Sequence, residues 1–199
     1  NQGLFPFAQN IGNNNNNNNT SEIPTLFYSR RIGLERGESV PIDVGGRLTG
    51  RAGRYTVALL NIQTNEVDRL ELPSTNFTVA RVRRDVLRRS AIGMIYTRRS
   101  HATDRAGVSE SYGVDGGFAF FENLNFNTYW ARTAHPGVRG GDTSYQLQMN
   151  YNGDRYGVSM QRLYVGENFD PEIGFKRRSD FLKQRAQVRF SPRPRERFH

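Results

Sequence analysis

DTSYQLQMNYNGDRYGVSMQRLY, residues Asp142 to Tyr164, states two periods and the reversal between them in one window. Tyr145, Leu147, Met149 and Tyr151 alternate with Ser144, Gln146, Gln148 and Asn150, so an extended segment has one apolar face and one of carboxamides and hydroxyls. Asn152-Gly153 then supplies the pair best suited to the positive φ angles of a type I′ turn, and Tyr156, Val158 and Met160 resume the alternation against Gly157, Ser159 and Gln161. The window predicts a β-hairpin. Its polar face is uncharged and its apolar face carries tyrosines near both ends, the pattern of a transmembrane barrel strand with lipid outside and water inside.

Outward from the hairpin the chain repeats this grammar. Thr25 to Gly37 reads as a short strand, with Phe27 opposed to Leu26 and Tyr28, followed by a charged turn. Strands are predicted over Gly45–Gly50, Tyr55–Thr64, Asn76–Arg84, Ala91–Arg99, Tyr112–Phe121, Leu124–Thr133 and near Phe181–Phe190, the last ended by Pro192 and Pro194. Short turns near Ala52, Val86, Asn123 and Gly153 alternate with longer polar loops at 65–75, 100–110, 135–142 and 166–180. Such alternation belongs to an up-and-down barrel with one end toward the periplasm and the other outside. The expected fold is all-β, an incomplete antiparallel up-and-down transmembrane-type β-barrel of about eight to ten strands. It is expected over 25–190, between a low-complexity 1–24 segment holding the asparagine run Asn13–Asn19 and a Pro/Arg-rich tail, 191–199. Asn152-Gly153 is expected at the periplasmic end and His135–Asp142 at the outer surface.

Composition bears on location. In 199 residues only 36% are hydrophobic and the mean hydropathy is -0.71, poor for a soluble core but sufficient for a barrel that needs one apolar face. No apolar run is long enough for a membrane-spanning helix, a scan that barrel strands escape in any case. The absence of cysteine excludes disulfides, thiolate metal sites and a Cys nucleophile. The net charge is +9, and Lys176 and Lys183 are the only lysines, so the basic side chains are overwhelmingly arginine. Arginine with interleaved aromatics allows a soluble basic β-domain that binds nucleic acid or another polyanion, but charge dispersed along alternating strands argues against a nucleic-acid patch. The chain starts at Asn1 without a signal peptide and is expected to be a piece of a longer secreted precursor.

Several words of the sequence resemble those of a known family. They are Leu26-Phe27-Tyr28-Ser29-Arg30-Arg31-Ile32-Gly33, Gly46-Arg47-Leu48-Thr49-Gly50-Arg51 with Gly53, and Arg81-Val82-Arg83-Arg84-Asp85 with Ser90-Ala91-Ile92-Gly93. Gly113-Val114-Asp115 follows, then Phe169-Asp170-Pro171-Glu172-Ile173-Gly174-Phe175 with Arg178 and Asp180. Together, in this order, they resemble a bacterial family in which a periplasmic family-nine carbohydrate-binding module precedes a C-terminal outer-membrane-type β-barrel of unknown function. The module is not in this chain, and the asparagine run stands where a short variable loop is expected. The resemblance implies a Gram-negative-type outer membrane, a glycan context, and further barrel strands outside this piece.

Chemistry is sought on the polar strand faces and in the loops. Arg81 and Arg83 share a face with Phe77 and Val79, and an arginine at the lipid midplane costs about 2 to 4 kcal/mol, so this face is expected to turn inward. Arg81, Arg83, Arg99, Asp115, Tyr129, Gln146, Gln148 and Arg155 are the expected lumen-lining set. The arginines would draw anions and Tyr129 would stack on sugar rings. The competing reading is an interior packed shut, with Asp115, Glu110 and Glu122 neutralising the charge. Asp170, Glu172 and Arg178 form the loop motif implied by the resemblance. Asp115 and Glu172 are the only acids placed for a sugar-cleaving pair, against which stand a salt bridge for Asp115 and an anchor to Arg177 or Arg178 for Glu172. His101, His135 and His199 lack metal-ligand spacing, and neither Ser90 nor Ser100 sits in a Gly-x-Ser-x-Gly elbow. No metal or cofactor is expected. The expected function is a glycan-associated outer-membrane barrel acting in binding or passage, its partners membrane lipid and an oligo- or polysaccharide. A hydrolase completed by a missing module is the alternative.

Overall fold

The computed structural model describes residues 5–8, 22–35, 37–68, 72–101 and 107–192. A two-stranded ribbon, β1 (Leu34–Glu35) and β2 (Glu38–Ser39), precedes nine longer strands: β3 (Ile42–Ala52), β4 (Tyr55–Thr64), β5 (Thr75–Leu87), β6 (Ser90–Arg99), β7 (Ser109–Phe120), β8 (Leu124–Ala134), β9 (Thr143–Asn152), β10 (Tyr156–Val165) and β11 (Phe181–Phe190). These nine form one antiparallel sheet in which every strand pairs with its neighbours in sequence. The all-β, up-and-down order is as the sequence predicts. The sheet is open: β3 and β11 are its two edges and do not pair with each other.

Tight connections after β3, β5, β7 and β9 lie at one end of the sheet, and the long ones after β4, β6, β8 and β10 lie at the other. Two local readings differ from the sequence. Asn152 pairs with Gly157, and the Gly153 N–H donates to the Tyr156 carbonyl at 2.9 Å. Neither Asn152 nor Gly153 has positive φ, so the chain reverses through Gly153, Asp154 and Arg155 between β9 and β10 rather than through a type I′ turn at Asn152-Gly153. The segment from Thr25 is not a strand: a single bridge joins Thr25 to Phe175, and a 3-10 turn follows at Ser29–Arg31. Leu26 and Phe27 are both buried, so packing on two sides overrides the alternation read there.

The sheet's two faces are the reverse of a soluble sandwich. Gln148 and Asn150 are 1% and 2% exposed, whereas Leu147 on the opposite face of the same strand is 56% exposed. Across the sheet Val82, Ile92, Met94, Val114, Trp130, Leu147, Tyr156 and Met160 are exposed. The sheltered face carries Arg81, Asn127, Ser144, Gln146 and Gln161.

Toward the long-loop end that sheltered face becomes apolar, through Phe77, Val79, Ile95, Tyr129, Ala131, Leu163 and Val165. Phe5, Leu26, Phe27 and Ile32 of the N-terminal segment join them, with Phe169 and Ile173 of the loop after β10. Backbone bonds tie the two covering pieces together: Thr25 and Phe175 exchange two at 2.8 Å, and the Tyr28 N–H donates to the Ile173 carbonyl at 2.8 Å. Gly113 makes the close approach possible, since a Cβ there would stand 2.7 Å from the Phe7 ring and 2.9 Å from Leu26. Phe77 and Val79 share a face with Arg81 because this segment covers them. The Asn13–Asn19 run and most of the 191–199 tail lie outside the described residues.

Candidate functional site

Three clusters occupy the sheltered face, in order from the middle of the sheet. The first is an ion pair. Arg81 on β5 reaches across β6 to Asp115 on β7, with Nη1 donating to Oδ1 at 2.5 Å and Nη2 to Oδ2 at 2.9 Å. Gly93, the β6 residue opposite Asp115, leaves room for the guanidinium, since a Cβ there would stand 2.5 Å from Nη2. The bidentate fork consumes both carboxylate oxygens. Phe7 lies 5.9 Å from the Arg81 guanidinium and packs edge-on to Tyr129, ring centres 5.4 Å apart.

The second is an array of neutral polar side chains nearer the tight turns. Asn127 on β8, Gln148 on β9 and Gln161 on β10 stand in register, as do Asn125, Asn150 and Ser159 one pair further on. The Gln146 amide donates to Gln148 Oε1 at 3.1 Å and Ser159 Oγ donates to Asn150 Oδ1 at 2.7 Å. Tyr129 spends its hydroxyl on Ser144 Oγ at 2.9 Å. Gln146 Oε1, Asn150 Nδ2 and both polar atoms of the Gln161 side chain are buried without a protein partner. Donors and acceptors left in one array match groups that both donate and accept, namely water or sugar hydroxyls.

The third cluster joins the loops. His135, just past β8, donates from Nε2 to the Asp170 carbonyl at 2.7 Å. Its Nδ1 lies 3.1 Å from Ser109 Oγ and 3.4 Å from Glu172 Oε1. The other Glu172 oxygen is 3.8 Å from Arg99 Nε, and Arg99 Nη2 donates to Glu35 Oε2 at 2.9 Å. Hydrogen bonding to the Glu172 carboxylate raises the His135 pKa against the opposing effect of burial, and the Asp170 carbonyl adds to the rise. Ser, His and Glu in contact invite comparison with a hydrolytic triad, but a triad needs the serine and the acid on opposite ring nitrogens. Here both meet Nδ1 and a backbone carbonyl holds Nε2, so the ring ties loops together.

The remaining expected residues are scattered. Arg83 is half exposed and lies 3.6 Å from Asp85. Arg155 falls in the exposed turn between β9 and β10, not on an inward strand position, because the ladder ends at Asn152 and resumes at Tyr156. Glu110 faces outward, accepting from the Tyr96 hydroxyl at 2.5 Å and lying 3.8 Å from Arg98, so it does not neutralise the interior. Glu172 pins its loop through Arg99 and His135 rather than through Arg177 or Arg178. Arg178 instead lies 3.6 Å from Glu22 and 4.3 Å over the Phe181 ring. Lys183 also bonds Glu22, whose pKa is lowered chiefly by that bond. Asp170 lies 3.3 Å from Lys176. A glycosidase needs two carboxyl groups free to flank one bond, whereas all four oxygens of Asp115 and Glu172 face cationic partners or His135. Among the described residues no group of three or more His, Asp and Glu is placed to hold a metal ion.

Sequence reasoning missed the Ser109–His135–Glu172–Arg99–Glu35 cluster, whose members come from five separate segments with no local spacing to join them. It placed Asn150 and Gln161 on the polar faces of the hairpin without including them in the lumen-lining set, and it missed Asn125 and Asn127, which the same alternation along β8 would have found. Comparison with protein-family models, with curated proteins and with solved structures finds no match to this chain and identifies neither a carbohydrate-binding module nor a barrel domain.

Proposed function

We propose that the chain is the wall of a transmembrane-type β-barrel in a Gram-negative-type outer membrane, acting in glycan binding or passage rather than in catalysis. The observation that carries the membrane part is the inversion of the sheet. Carboxamides and an arginine are sheltered while Met94 and Leu147 are each 56% exposed. In water that arrangement forfeits the burial of a whole apolar face, roughly 25 cal/mol per Å². In a bilayer the same face is solvated by acyl chains. The nine long strands have 10 to 13 residues each, enough to cross the hydrocarbon layer when tilted. Outward aromatics gather at both ends, Tyr96, Tyr112, Tyr145 and Tyr164 toward the long loops and Tyr55, Phe120, Tyr151, Tyr156 and Phe190 toward the tight turns, as interfacial girdles do.

The glycan part rests on the carboxamide array and on the resemblance of the sequence. Arg81 and Arg99 are spent on Asp115, Glu35 and Glu172, so the interior offers neutral hydrogen-bonding groups more than free positive charge. That favours uncharged polyhydroxylic ligands over a polyanion. The direct test extracts the full-length protein from membranes and reconstitutes it in phosphatidylcholine vesicles. Resistance to alkaline wash and solubility only with detergent are expected; a monodisperse, folded protein without detergent would overturn the membrane reading. Retention on neutral polysaccharide, lost on Gln148→Leu and Gln161→Leu, tests the glycan part separately.

A further inference from the structure

The outer face contains a feature that a plain lipid-facing wall does not need. A groove of roughly 690 Å³ crosses β4 to β8, with Val82, Ile92, Met94, Val114 and Trp130 along its walls. Gly116 forms part of its floor, and the Phe118 ring lies so near that a Cβ on Gly116 would stand 2.8 Å from it. At the tight-turn side the groove ends on Tyr55 and Arg84, which are paired in register, with the guanidinium 5.2 Å over the ring. Stacking holds the plane of Arg84 and leaves its N–H edge to donate.

The charge around that end is predominantly positive, with Asp85 and Glu122 of the turn after β7 as its carboxylates. Arg54 lies in the turn after β3 and Arg88 and Arg89 in the turn after β5, all three exposed. The nearest carboxylate along the chain, Asp85, is engaged by Arg51 at 3.3 Å and Arg83 at 3.6 Å. Among the described residues Arg84, Arg54, Arg88 and Arg89 have no carboxylate partner in any ion pair. An apolar trough that runs into a cluster of unneutralised guanidinium groups matches a molecule with an acyl chain and an anionic head.

We propose that this groove binds an anionic phospholipid, its acyl chain along Val82, Met94, Val114 and Trp130 and its phosphate on Arg84, within reach of the two basic turns. The proposal rests on the membrane reading above. Planar guanidinium groups suit phosphate oxygens, and headgroup-level arginines next to an aromatic ring are where a barrel meets the interface. Because the contact is electrostatic and near the surface, salt weakens it.

Trp130 is the only tryptophan in the chain and lines the groove, so its fluorescence reports the occupant. The full-length protein, with any tryptophan outside this chain replaced by phenylalanine, is reconstituted in phosphatidylcholine vesicles doped with phosphatidylglycerol or phosphatidylcholine brominated on the acyl chain. At equal mole fraction the brominated phosphatidylglycerol is expected to quench with about fivefold higher apparent affinity, as one or more arginines near an anionic headgroup allow. Arg84→Gln should level the two lipids, and Arg162→Gln, on the same face but outside the groove, should leave the preference intact. Equal quenching by both lipids, unchanged in Arg84→Gln, overturns the lipid site while leaving the membrane reading standing. No quenching by either overturns both.

Discussion

At the scale of single residues, the decisive fact is that the buried charges are paired. A guanidinium as sheltered as that of Arg81 is tolerated because Asp115 meets it in a bidentate fork and Gly93 leaves the space. Removing one partner strands the other. Arg81→Met or Asp115→Asn should lower stability by about 3 to 5 kcal/mol, and the double replacement Arg81→Met with Asp115→Leu should recover most of the loss. Urea titrations of the reconstituted protein read both; single variants as stable as the parent would mean that the pair is dispensable. His135 offers a second test. Its folded-state pKa is raised, so protonated His135 binds Glu172 and Asp170 more favourably than the neutral ring. The sign follows: this stabilisation is fully present below the ordinary value of 6.5 and is lost as pH rises through the higher folded-state value. Nuclear magnetic resonance titration should show the His135 pKa falling in Glu172→Gln, and protease cleavage in 166–180 should increase from about pH 6 to about pH 8. Cleavage that ignores pH would show that the ring does not hold the loop. A salt bridge for Asp115 with an interior arginine was legible in the sequence, but not that Arg81 is its partner, and the ties of Glu172 to Arg99 and His135 were not, because sheet registration and loop packing, which no local spacing encodes, set them.

At the scale of elements, periodicity was enough where one face of a strand differs consistently from the other. Ser144, Gln146, Gln148 and Asn150 against Tyr145, Leu147, Met149 and Tyr151 fixed the register of β9, since slipping by one residue would exchange the faces. The reversal after β9 was harder to read. Asn152-Gly153 has the composition of a type I′ turn, yet the ladder stops at Asn152 with Gly157 and the chain takes a longer loop. The N-terminal piece was less legible still, because Phe5, Phe7, Leu26 and Phe27 have no common period and gain their burial from the sheet. Its seat can be closed from the other side. Gly113→Val places a branched side chain against Phe7 and Leu26 and should cost about 1 to 3 kcal/mol by overpacking. Protease sensitivity before β1 should rise with it, and a variant as protected as the parent would show that the segment is not packed there. On the outer face the membrane reading predicts the opposite of soluble-protein behaviour: Leu147→Arg should destabilise the bilayer-inserted protein by roughly 2 to 4 kcal/mol. A neutral or favourable effect would mean that Leu147 faces water.

At the scale of the whole molecule, an antiparallel meander of nine strands is present, and its edges β3 and β11 are open. The inverted distribution of polar and apolar side chains, not closure, is what points to lipid. A chain without cysteine lets single cysteines be placed without background, so each face can be labelled cleanly. The most direct measurement is therefore spin-label accessibility in bilayers at Met94, Leu147 and Met160, compared with Gln146, Gln148 and Gln161. Membrane embedding predicts preferential collision with oxygen for the first three labels and weak oxygen contact for the second three. If all six are equally open to a water-soluble nickel chelate, the apolar face is not in lipid and the proposed membrane wall is wrong.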